Sequence, residues 1–299
     1  MVVELIDEYE MKLSVIIPCF NGADTIADQL EALSEQKWSE PWEIIFSDNG
    51  STDDSCAIAE HYKGRMLNLR IVDASARRGQ PYALNQGAQA AKGEALAFAD
   101  ADDIVGPGWV AAMGDALSEH DFVACRWDTE KINPEWTRHY RGNGQLYGPQ
   151  EIWYPPYLPH AGGGTIGVKR ELHEAIGGFD ETLLHLHDTD YCWRLQLAGI
   201  KLHFVPSAVM YIRFRNGLRS IYRQNRNYAE YNTLLSKRYR SYGDPISHPW
   251  QRYLHEWKKL KPSVRLLRGG RGRRAVWVTR LGWQIGRLRG CIKHGVPPV

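Results

Sequence analysis

Three carboxylates lie within four residues at Asp100, Asp102 and Asp103, directly after the small apolar residues 97–99. An apolar run that changes abruptly to charge predicts a buried strand that delivers acids at its C-terminal end. Like charges held this close repel one another, so the cluster costs stability unless a cation binds to it. A divalent metal with oxygen ligands would meet that need. The alternative is a solvated acidic turn in which Asp102 or Asp103 caps the next helix.

Alternating strands and helices upstream would position these acids. The predicted strands are 13–18, 42–46 and 69–72, and the predicted helices are 24–36, 53–62 and 81–92. Such alternation favours a mostly parallel sheet with helices on both faces. In open α/β sheets of this kind, ligands bind at the carboxyl ends of the strands. Asp48 ends the second strand and would therefore lie at the same edge as the acids.

The second half of the chain has a less regular pattern. Residues 121–160 are rich in Trp, Tyr, Pro and Gly and are predicted to be irregular, and residues 161–165 form a permissive glycine-rich segment. Helices are then predicted over 169–176 and 189–198, edge strands over 200–205 and 209–214, and a helical region from Leu218. We therefore divide the chain into an arm (1–11), an α/β domain (12–215) and a C-terminal helical extension (216–299).

Composition is typical of a soluble globular protein. The chain has 299 residues, of which 43% are apolar and 24% charged, which is enough for a sizeable core. Five scattered cysteines favour reduced thiols over a disulfide or zinc framework. No apolar run approaches the roughly 20 residues of a membrane span, and the acidic N-terminus does not resemble a secretory signal. We expect a cytoplasmic protein.

The net charge of +2 is unevenly distributed. Residues 1–256 contain 25 Lys and Arg against 35 Asp and Glu, a net −10, whereas residues 257–299 contain twelve basic and no acidic residues. Five apolar residues of this tail fall on one helical face: Trp277, Leu281, Ile285, Leu288 and Ile292. A basic amphipathic helix with tryptophan is typical of peripheral contact with an anionic membrane, here the inner membrane face. Docking on the acidic domain is the alternative, and no nucleic acid is expected.

Five short motifs follow one another along the α/β domain. They are Val15-Ile16-Ile17-Pro18-Cys19-Phe20-Asn21, Ser47-Asp48-Asn49-Gly50-Ser51-Thr52-Asp53, Asp100-Ala101-Asp102-Asp103, Gly177-Gly178-Phe179-Asp180-Glu181 and His187-Asp188. In this order they resemble the family 2 glycosyltransferases of the GT-A fold, over residues 12–215. The resemblance implies a Rossmann-like domain. It also implies a metal-dependent, inverting, non-processive transfer of a sugar from a nucleotide-diphosphate donor, expected to be a UDP-sugar, to an acceptor hydroxyl.

The resemblance assigns the donor nucleotide to Pro18, Phe20, Asn21 and Asp48. Phe20 would stack on the base while backbone groups near Pro18 bond its edge, unless Phe20 is a core aromatic. Asp48 would accept the imide N–H of a pyrimidine such as uracil. The alternative for Asp48 is a turn-forming role before Asn49.

The diphosphate and the metal fall to a second group. Arg77 and Arg78 lie where the family often places a basic contact to base or diphosphate, although both would also suit a solvated loop. Asp100 is expected to hold the ribose or assist the metal, and Asp102 to bind Mn²⁺ or Mg²⁺ directly. Asp103 would lie behind them or cap the next helix.

Asp188 occupies the position of the family's catalytic base, which implies a single displacement with inversion; the alternative is a capping role for the helix from Thr189. A general base is needed because the acceptor hydroxyl must lose a proton. Two positions depart from the family pattern. His187 replaces the usual Glu before the base, and Tyr211-Ile212-Arg213 lacks the histidine that often binds the metal. His185, His187 or His203 could take its place.

Two other functions stay open. A nucleotidyltransferase also uses paired acids on a metal but needs a basic Gly-rich phosphate loop, which residues 19–22 do not provide. A degenerate sugar-nucleotide-binding or scaffold protein would be consistent with His187. A processive polysaccharide synthase is disfavoured, because the Gln-x-x-Arg-Trp pattern is missing. The acceptor, whether a glycan, a lipid-linked sugar or a small molecule, would be chosen by residues 128–164.

Overall fold

The computed structural model describes residues 11–142, 144–244 and 246–299; the predicted arm therefore lies outside the described residues except for Met11. The strands are β1 (Leu13–Cys19), β2 (Trp42–Asp48), β3 (Leu69–Asp73), β4 (Ala95–Phe98), β5 (Ile104–Val105), β6 (Phe122–Asp128), β7 (Ile166–Lys169) and β8 (Leu202–Tyr211). The helices are α1 (Ile26–Ser34), α2 (Ser55–Lys63), α3 (Gln80–Ala90), α4 (Trp109–Glu119), α5 (Arg170–Ala175), α6 (His187–Leu197), α7 (Leu218–Arg238), α8 (Pro249–Ser263) and α9 (Arg271–His294).

The strands form one mixed sheet in the order β3-β2-β1-β4-β7-β6-β8-β5. The first four strands along the chain pair in parallel, as the strand–helix alternation predicts. β7 then inserts antiparallel between β4 and β6, while β6 and β8 pair in parallel. Because β2, β1 and β4 are adjacent and parallel, their carboxyl ends meet at one edge of the sheet.

Helices cover both faces of this sheet, and the sequence of β1 shows why. Val15 and Ile17 pack into one core cluster with Leu30 of α1, whereas Ile16 packs into the other with Leu84 of α3. Side chains alternate between the faces of a strand, so a continuous apolar run fills two cores at once.

Two sequence predictions in the second half are wrong. Residues 121–160, predicted to be irregular, contain β6, whose apolar run 122–125 is buried on both faces and shows no alternation. The two edge strands predicted over 200–205 and 209–214 form the single strand β8, which lies inside the sheet. The register shifts where Cys125 pairs with Val205 and Arg126 with Val209. Pro206 falls in this irregularity, so the interruption read as a strand end is a bulge.

The chain folds into two compact units. The first comprises the described residues up to Asp128 with Gln145–Pro149 and His160–Ile212, and it contains the sheet and α1–α6. The second comprises Thr129–Gly144, Gln150–Pro159 and Arg213–Val299, and it contains α7–α9. The sequence placed a single boundary near residue 216, whereas the second unit also takes in two segments from the predicted irregular region.

A glycine face joins α9 to α7 in the second unit. Gly282, Gly286 and Gly290 repeat every fourth residue and are buried. A Cβ on Gly282 would lie 2.7 Å from the Tyr222 backbone oxygen, and one on Gly286 would overlap the backbone oxygen of Arg226. The helices therefore approach backbone to backbone. Two ion pairs flank the glycine face, since buried Glu230 contacts Arg289 at 3.0 Å and Lys293 at 2.9 Å.

This packing bears on the apolar face predicted for the tail. Trp277, Leu281 and Ile285 are half-buried, whereas Leu288 and Ile292 are exposed. The buried face of α9 is thus the glycine face rather than the predicted apolar one. Within the described residues, no helix combines the length and apolar character needed to cross a bilayer.

Candidate active site

The three acids follow β4 directly, in a turn where the Asp103 N–H donates to the Asp100 carbonyl oxygen at 3.3 Å. Asp100 and Asp102 are half-buried and Asp103 is buried. One carboxylate oxygen from each lies within 4.8 Å of the other two. This all-oxygen set suits a hard divalent cation such as Mg²⁺ or Mn²⁺. Across residues 11–142, 144–244 and 246–299, it is the only such group of three, and no histidine belongs to it.

Two glutamines hold Asp100. Gln80, the first residue of α3, donates from Nε2 to Asp100 Oδ1 at 2.7 Å. Gln29 of α1 is fully buried, donates to the Asp100 carbonyl oxygen at 3.1 Å and accepts the Val105 N–H at 2.9 Å. The roles of these two glutamines could not be predicted from the sequence, because a lone glutamine on a helix belongs to no recognisable motif.

The glycine-rich segment contacts both Asp100 and Asp188. A Cβ on Gly164 would lie 2.8 Å from the Asp100 Cγ, so the close approach requires glycine there. The Gly163 N–H donates to Asp188 Oδ2 at 3.0 Å. Buried Gln145 fixes the start of the segment by accepting the Gly162 N–H at 3.0 Å. Consecutive residues thus bring the acid cluster and the predicted base to one place. Three glycines in a row were the available signal, but the sequence alone indicated only a permissive backbone.

Asp188 is half-buried at the start of α6. Its Oδ1 accepts the Thr189 N–H at 2.8 Å while Oδ2 accepts the Gly163 N–H. The alternative, a capping role for a helix from Thr189, is wrong, because α6 begins at His187 after Leu186 and has no side-chain capping bond. The bonds from Thr189 and Gly163 instead orient the carboxylate.

His187 is buried beside Asp188, at 6% exposure. In the described part of the chain, neither of its ring nitrogens has a hydrogen-bond partner. Burial lowers the pKa of His187, against the opposing effect of Asp188 and Asp190. Its ring lies beside the glycine segment, since a Cβ on Gly163 would lie 3.8 Å from His187 Nε2. The replaced glutamate position thus presents a neutral imidazole to the site. His203, another candidate metal ligand, lies in β8 and stacks on His120 with ring centres 3.8 Å apart.

The donor-side residues lie at the ends of β1 and β2. Pro18 is buried in β1 opposite Ser47. Asn21, in a left-handed backbone conformation, accepts the Thr52 N–H at 2.8 Å. Asp48 accepts the N–H groups of Gly50 and Ser51 at 3.1 Å each, which are the bonds of the turn-forming alternative.

Phe20 is 52% exposed, so its alternative reading as a core aromatic is wrong. The Arg78 guanidinium carbon lies 4.2 Å from the centre of its ring. Arg78 also donates to the Asn49 carbonyl oxygen at 2.9 Å, and Asn49 in turn bonds the backbone of Ala74, Arg77 and Gly79. The aromatic ring and a cation therefore form one exposed platform at the end of β1.

Arg77 has a different setting from Arg78. Its Nη1 forms an ion pair with Glu181 Oε2 at 2.7 Å. Glu181 also accepts from Asn85 of α3 at 2.9 Å, and Asn85 bonds both the N–H and the carbonyl of Phe179. The turn of residues 177–181 is thus tied to α3 and to the arginine loop. The structure pairs Arg77 within the protein and leaves Arg78 as the stacked cation.

Comparison with known proteins supplies the identity of this arrangement. Residues 14–177 match the model of the family described as glycosyl transferase family 2. That range covers more than half of the chain. The chain belongs to glycosyl transferase family 2. The matched range includes the acid cluster and the donor-side residues, whereas His187 and Asp188 lie beyond it.

Relatives of this family agree with the match. The chain is 29% identical over 266 residues to the uncharacterized glycosyltransferase YibD of Escherichia coli (strain K12), covering 79% of this chain and 73% of that protein. It is 38% identical over 98 residues to the poly(ribitol-phosphate) beta-glucosyltransferase of Bacillus spizizenii, covering 32% of this chain but 16% of that enzyme.

The GT-A fold expected from the motifs is confirmed by solved glycosyltransferase structures. The mannosyltransferase PcManGT from Pyrobaculum calidifontis, in complex with GDP-Man and Mn²⁺, matches 96% of this chain and 88% of its own with a TM-score of 0.65 at 18% identity. Residues 1–349 of Staphylococcus aureus TarS, in complex with UDP, match 96% and 92% with a TM-score of 0.54 at 16% identity. The chain is accordingly an enzyme of the glycosyltransferase class.

Proposed function

We propose that this enzyme is a metal-dependent, inverting, non-processive glycosyltransferase that moves a sugar from a nucleotide-diphosphate donor to an acceptor hydroxyl. The observation that carries the proposal is the glycine segment, whose Gly164 abuts Asp100 and whose Gly163 bonds Asp188. A displacement at the anomeric carbon needs a cationic site for the departing diphosphate and a base for the incoming hydroxyl. This segment places residues for both needs side by side.

The donor nucleotide would lie along the ends of β1 and β2. The exposed Phe20 ring offers a face for the base, and Arg78 beside it offers a cation for the diphosphate. Asp48 keeps lone pairs beyond the two backbone bonds it accepts, and a carboxylate can accept the imide N–H of uracil. We therefore favour a UDP-sugar. The two structural neighbours hold UDP in one case and GDP-Man in the other, so the fold itself accommodates either base.

Asp102 and Asp100 would hold the metal, with Asp103 behind them. The oxygen-only donor set fits Mn²⁺ or Mg²⁺. When bound, the ion neutralises negative charge that develops on the leaving diphosphate. Gln80 and Gln29 keep the Asp100 carboxylate and its backbone in position for this task.

Asp188 would take the proton of the acceptor hydroxyl. The Thr189 and Gly163 N–H groups hold its two oxygens in one orientation, and each oxygen keeps a further lone pair. A positioned base of this kind acts in a single step on the face of the sugar opposite the leaving group, which inverts the anomeric configuration. The neutral His187 adds no charge that would compete for the proton.

The acceptor and the place of action are further proposals. Named relatives act on poly(ribitol-phosphate), and others are a dodecaprenyl-phosphate galacturonate synthase and a dolichyl-phosphate beta-glucosyltransferase. We propose a glycan, lipid-linked or small-molecule acceptor, used by an enzyme in the cytoplasm. All five cysteines are free thiols, which suits that compartment.

Calorimetric titration of UDP in Mn²⁺ and in EDTA tests the donor and metal sites. We expect binding to depend on the ion in the unchanged enzyme, and Asp102→Asn to remove that dependence. Asp48→Asn should weaken UDP in both conditions. Asp115→Asn is the control, because Asp115 of α4 accepts a hydrogen bond from Trp38 Nε1 and belongs to neither proposed site. This variant should behave as the unchanged enzyme. Equal UDP affinity in Mn²⁺ and EDTA would refute the metal assignment, and a product with retained anomeric configuration by NMR would refute inversion.

A further inference from the structure

A cavity of about 310 Å³ lies wholly within the second unit. α8 contributes Arg252, His255 and Glu256, and α9 contributes Trp283, Gln284 and Arg287, with Trp153 across from them. This volume falls at the lower end of the range for small-molecule sites in proteins. It suits one sugar unit.

Arg287 is the unusual member of this lining, because its side chain is 6% exposed. Across the described ranges 11–142, 144–244 and 246–299, its Nε–H has no hydrogen-bond partner. Its Nη1 reaches Gln284 Oε1 only at 3.5 Å, and its guanidinium lies 5.0 Å from the centre of the Tyr253 ring. A guanidinium stays charged in proteins, and burying a charge without an acceptor is costly. An anion in the cavity would offset this charge.

Two other side chains of the lining are charged. Arg252 adds a second guanidinium to the lining. Glu256 is the one acidic side chain of the lining, and its Oε1 forms an ion pair with Lys259 at 2.8 Å. Burial also lowers the pKa of Arg287, with Glu256 only a lesser opposing influence. Among its side chains, the lining therefore has two guanidinium groups against one carboxylate, which is already paired with Lys259.

Two indole rings give the cavity its second character. The ring centres of Trp153 and Trp283 are 6.0 Å apart with planes at 52°, and Trp153 is 42% exposed. An aromatic face packs well against the C–H face of a pyranose ring, while the hydroxyls of the sugar turn toward polar groups. Gln284 and His255 supply such groups in the same lining.

We propose that this cavity is a second ligand site that binds an anionic saccharide unit, a hexose that carries a phosphate or a carboxylate. The sugar ring packs on Trp153 and Trp283, and the anion pairs with the guanidinium of Arg287 with Arg252 beside it. The site stands apart from the transferase chemistry, since none of its residues belongs to the donor, metal or base groups.

Calorimetric titration of the full chain with four probes tests the proposal. The probes are α-D-glucose 1-phosphate, D-glucuronate, methyl α-D-glucoside and inorganic phosphate. Glucose 1-phosphate or glucuronate should bind saturably, and the neutral glucoside and the bare phosphate should each bind more weakly. The two anionic sugars distinguish a phosphate from a carboxylate as the preferred anion.

Arg287→Gln should weaken the anionic sugar about tenfold or more, since a hydrogen bond to a charged group is worth about 1.5–3 kcal/mol. Trp153→Ala, at a half-exposed position, should also weaken it and serves as the second variant if Arg287→Gln does not fold. Asp102→Asn should leave this binding unchanged, which separates the cavity from the donor site. Unchanged affinity in both cavity variants, or inorganic phosphate binding as tightly as glucose 1-phosphate, would overturn the proposal.

Discussion

At the scale of single residues, the carboxylate of Asp188 combines a structural and a chemical role. Its Oδ1 accepts the Thr189 N–H and its Oδ2 accepts the Gly163 N–H, and the single oxygen of an amide could accept one of these two bonds. Basicity, by contrast, belongs to the carboxylate alone. A change that keeps one of these bonds and removes the basicity separates the two roles.

Asp188→Asn should lower transfer by about 10²- to 10⁴-fold, which is the usual contribution of a general base. Its free energy of unfolding should fall by about 1–3 kcal/mol, because the amide oxygen can accept only one of the two backbone N–H groups and the other loses its acceptor. UDP affinity should not change. Thermal melts, UDP titration and a transfer assay on the one variant check this expectation.

Asp180→Asn is the matched control for that variant. Asp180 also accepts a nearby backbone N–H, from Thr182 at 2.9 Å, but takes no part in the proposed chemistry. It should retain transfer. Near-normal transfer in Asp188→Asn would instead direct the search for the base to His187.

Buried histidines predict a loss of stability in acid. Burial, with a smaller effect of Arg194, lowers the pKa of His173 to about 4, whereas an unfolded histidine titrates near about 6.5. The unfolded state binds the extra proton first, so stability is full above about pH 6.5 and falls toward pH 4. The shift corresponds to about 3 kcal/mol for His173, and His187 acts in the same direction.

Melting temperatures of the unchanged protein and of His173→Asn at pH 7 and pH 5 measure this effect. Asparagine can keep a hydrogen bond to the Tyr191 hydroxyl, which lies 2.8 Å from His173 Nδ1. The variant should lose less stability between the two pH values than the unchanged protein. An identical drop in both would show that His173 is not the group responsible.

The sequence predicted the acids better than their supports. Asp48, Asp100 and Asp188 stand at element ends, and strand or helix ends can be found from periodicity and cap residues. Gln29, Gln80 and Gln145 act through contacts between distant segments, and nothing in their local sequence indicates a partner 17 or more residues away. The role of a residue can be predicted from sequence when its type has one common chemical use, and it cannot when the type has many uses.

At the scale of elements, the packing of α9 against α7 depends on glycines, which have no side chain. Gly282, Gly286 and Gly290 let the two backbones approach, and any Cβ there meets α7. Helix propensity alone would favour alanine over glycine by about 1 kcal/mol. The sign of a substitution therefore tells which effect dominates.

Gly286→Ala should destabilise the protein by about 1–3 kcal/mol, the usual cost of overpacking a tight contact. Arg280→Ala on the exposed side of the same helix is the control and should change stability by at most about 0.5 kcal/mol. Urea unfolding of both variants gives the comparison. A more stable Gly286→Ala would mean that the helices are not in backbone contact.

The elements themselves were predicted unevenly. β1 to β4 and α1 to α3 follow the expected alternation within a few residues, because each is a short apolar run or a helical period of 3.6. β6 and β8 were not recognised: β6 lies in a segment rich in Trp, Tyr, Pro and Gly, and β8 bends at a bulge around Pro206. Nonlocal pairing is the part of a sheet that short windows do not contain.

At the scale of the whole molecule, residues 257–299 carry twelve basic and no acidic side chains. α8 exposes Trp250 and Leu254 with Lys258 and Lys261 on the same helical face. Apolar side chains ringed by cations are typical of contact with an anionic membrane surface. We therefore propose peripheral membrane contact through α8, whereas the face of α9 predicted for it offers mainly Leu288 and Ile292.

Lys258→Glu with Lys261→Glu should reduce flotation with phosphatidylserine liposomes and leave flotation with neutral liposomes unchanged. Each cation near such a surface contributes about 1 kcal/mol, so the double reversal should be readily measured. The control is Lys37→Glu with Lys92→Glu, which makes the same charge change at exposed positions of the first unit. Equal loss in both pairs would indicate general charge attraction, and loss only in Ile292→Ser would assign the contact to α9.

The glycine segment between Asp100 and Asp188 also bears on the order in which the two substrates bind. Gly163 and Gly164 are neighbours that share one planar, rigid peptide group, so a displacement of one also displaces the other. Under the proposed function, a donor bound at the acids would restrain Gly164 and, through it, the Gly163 N–H that bonds Asp188. Donor and acceptor would then not enter at random: we expect an ordered kinetic scheme in which the nucleotide sugar arrives first, the acceptor second, and the free nucleotide leaves last.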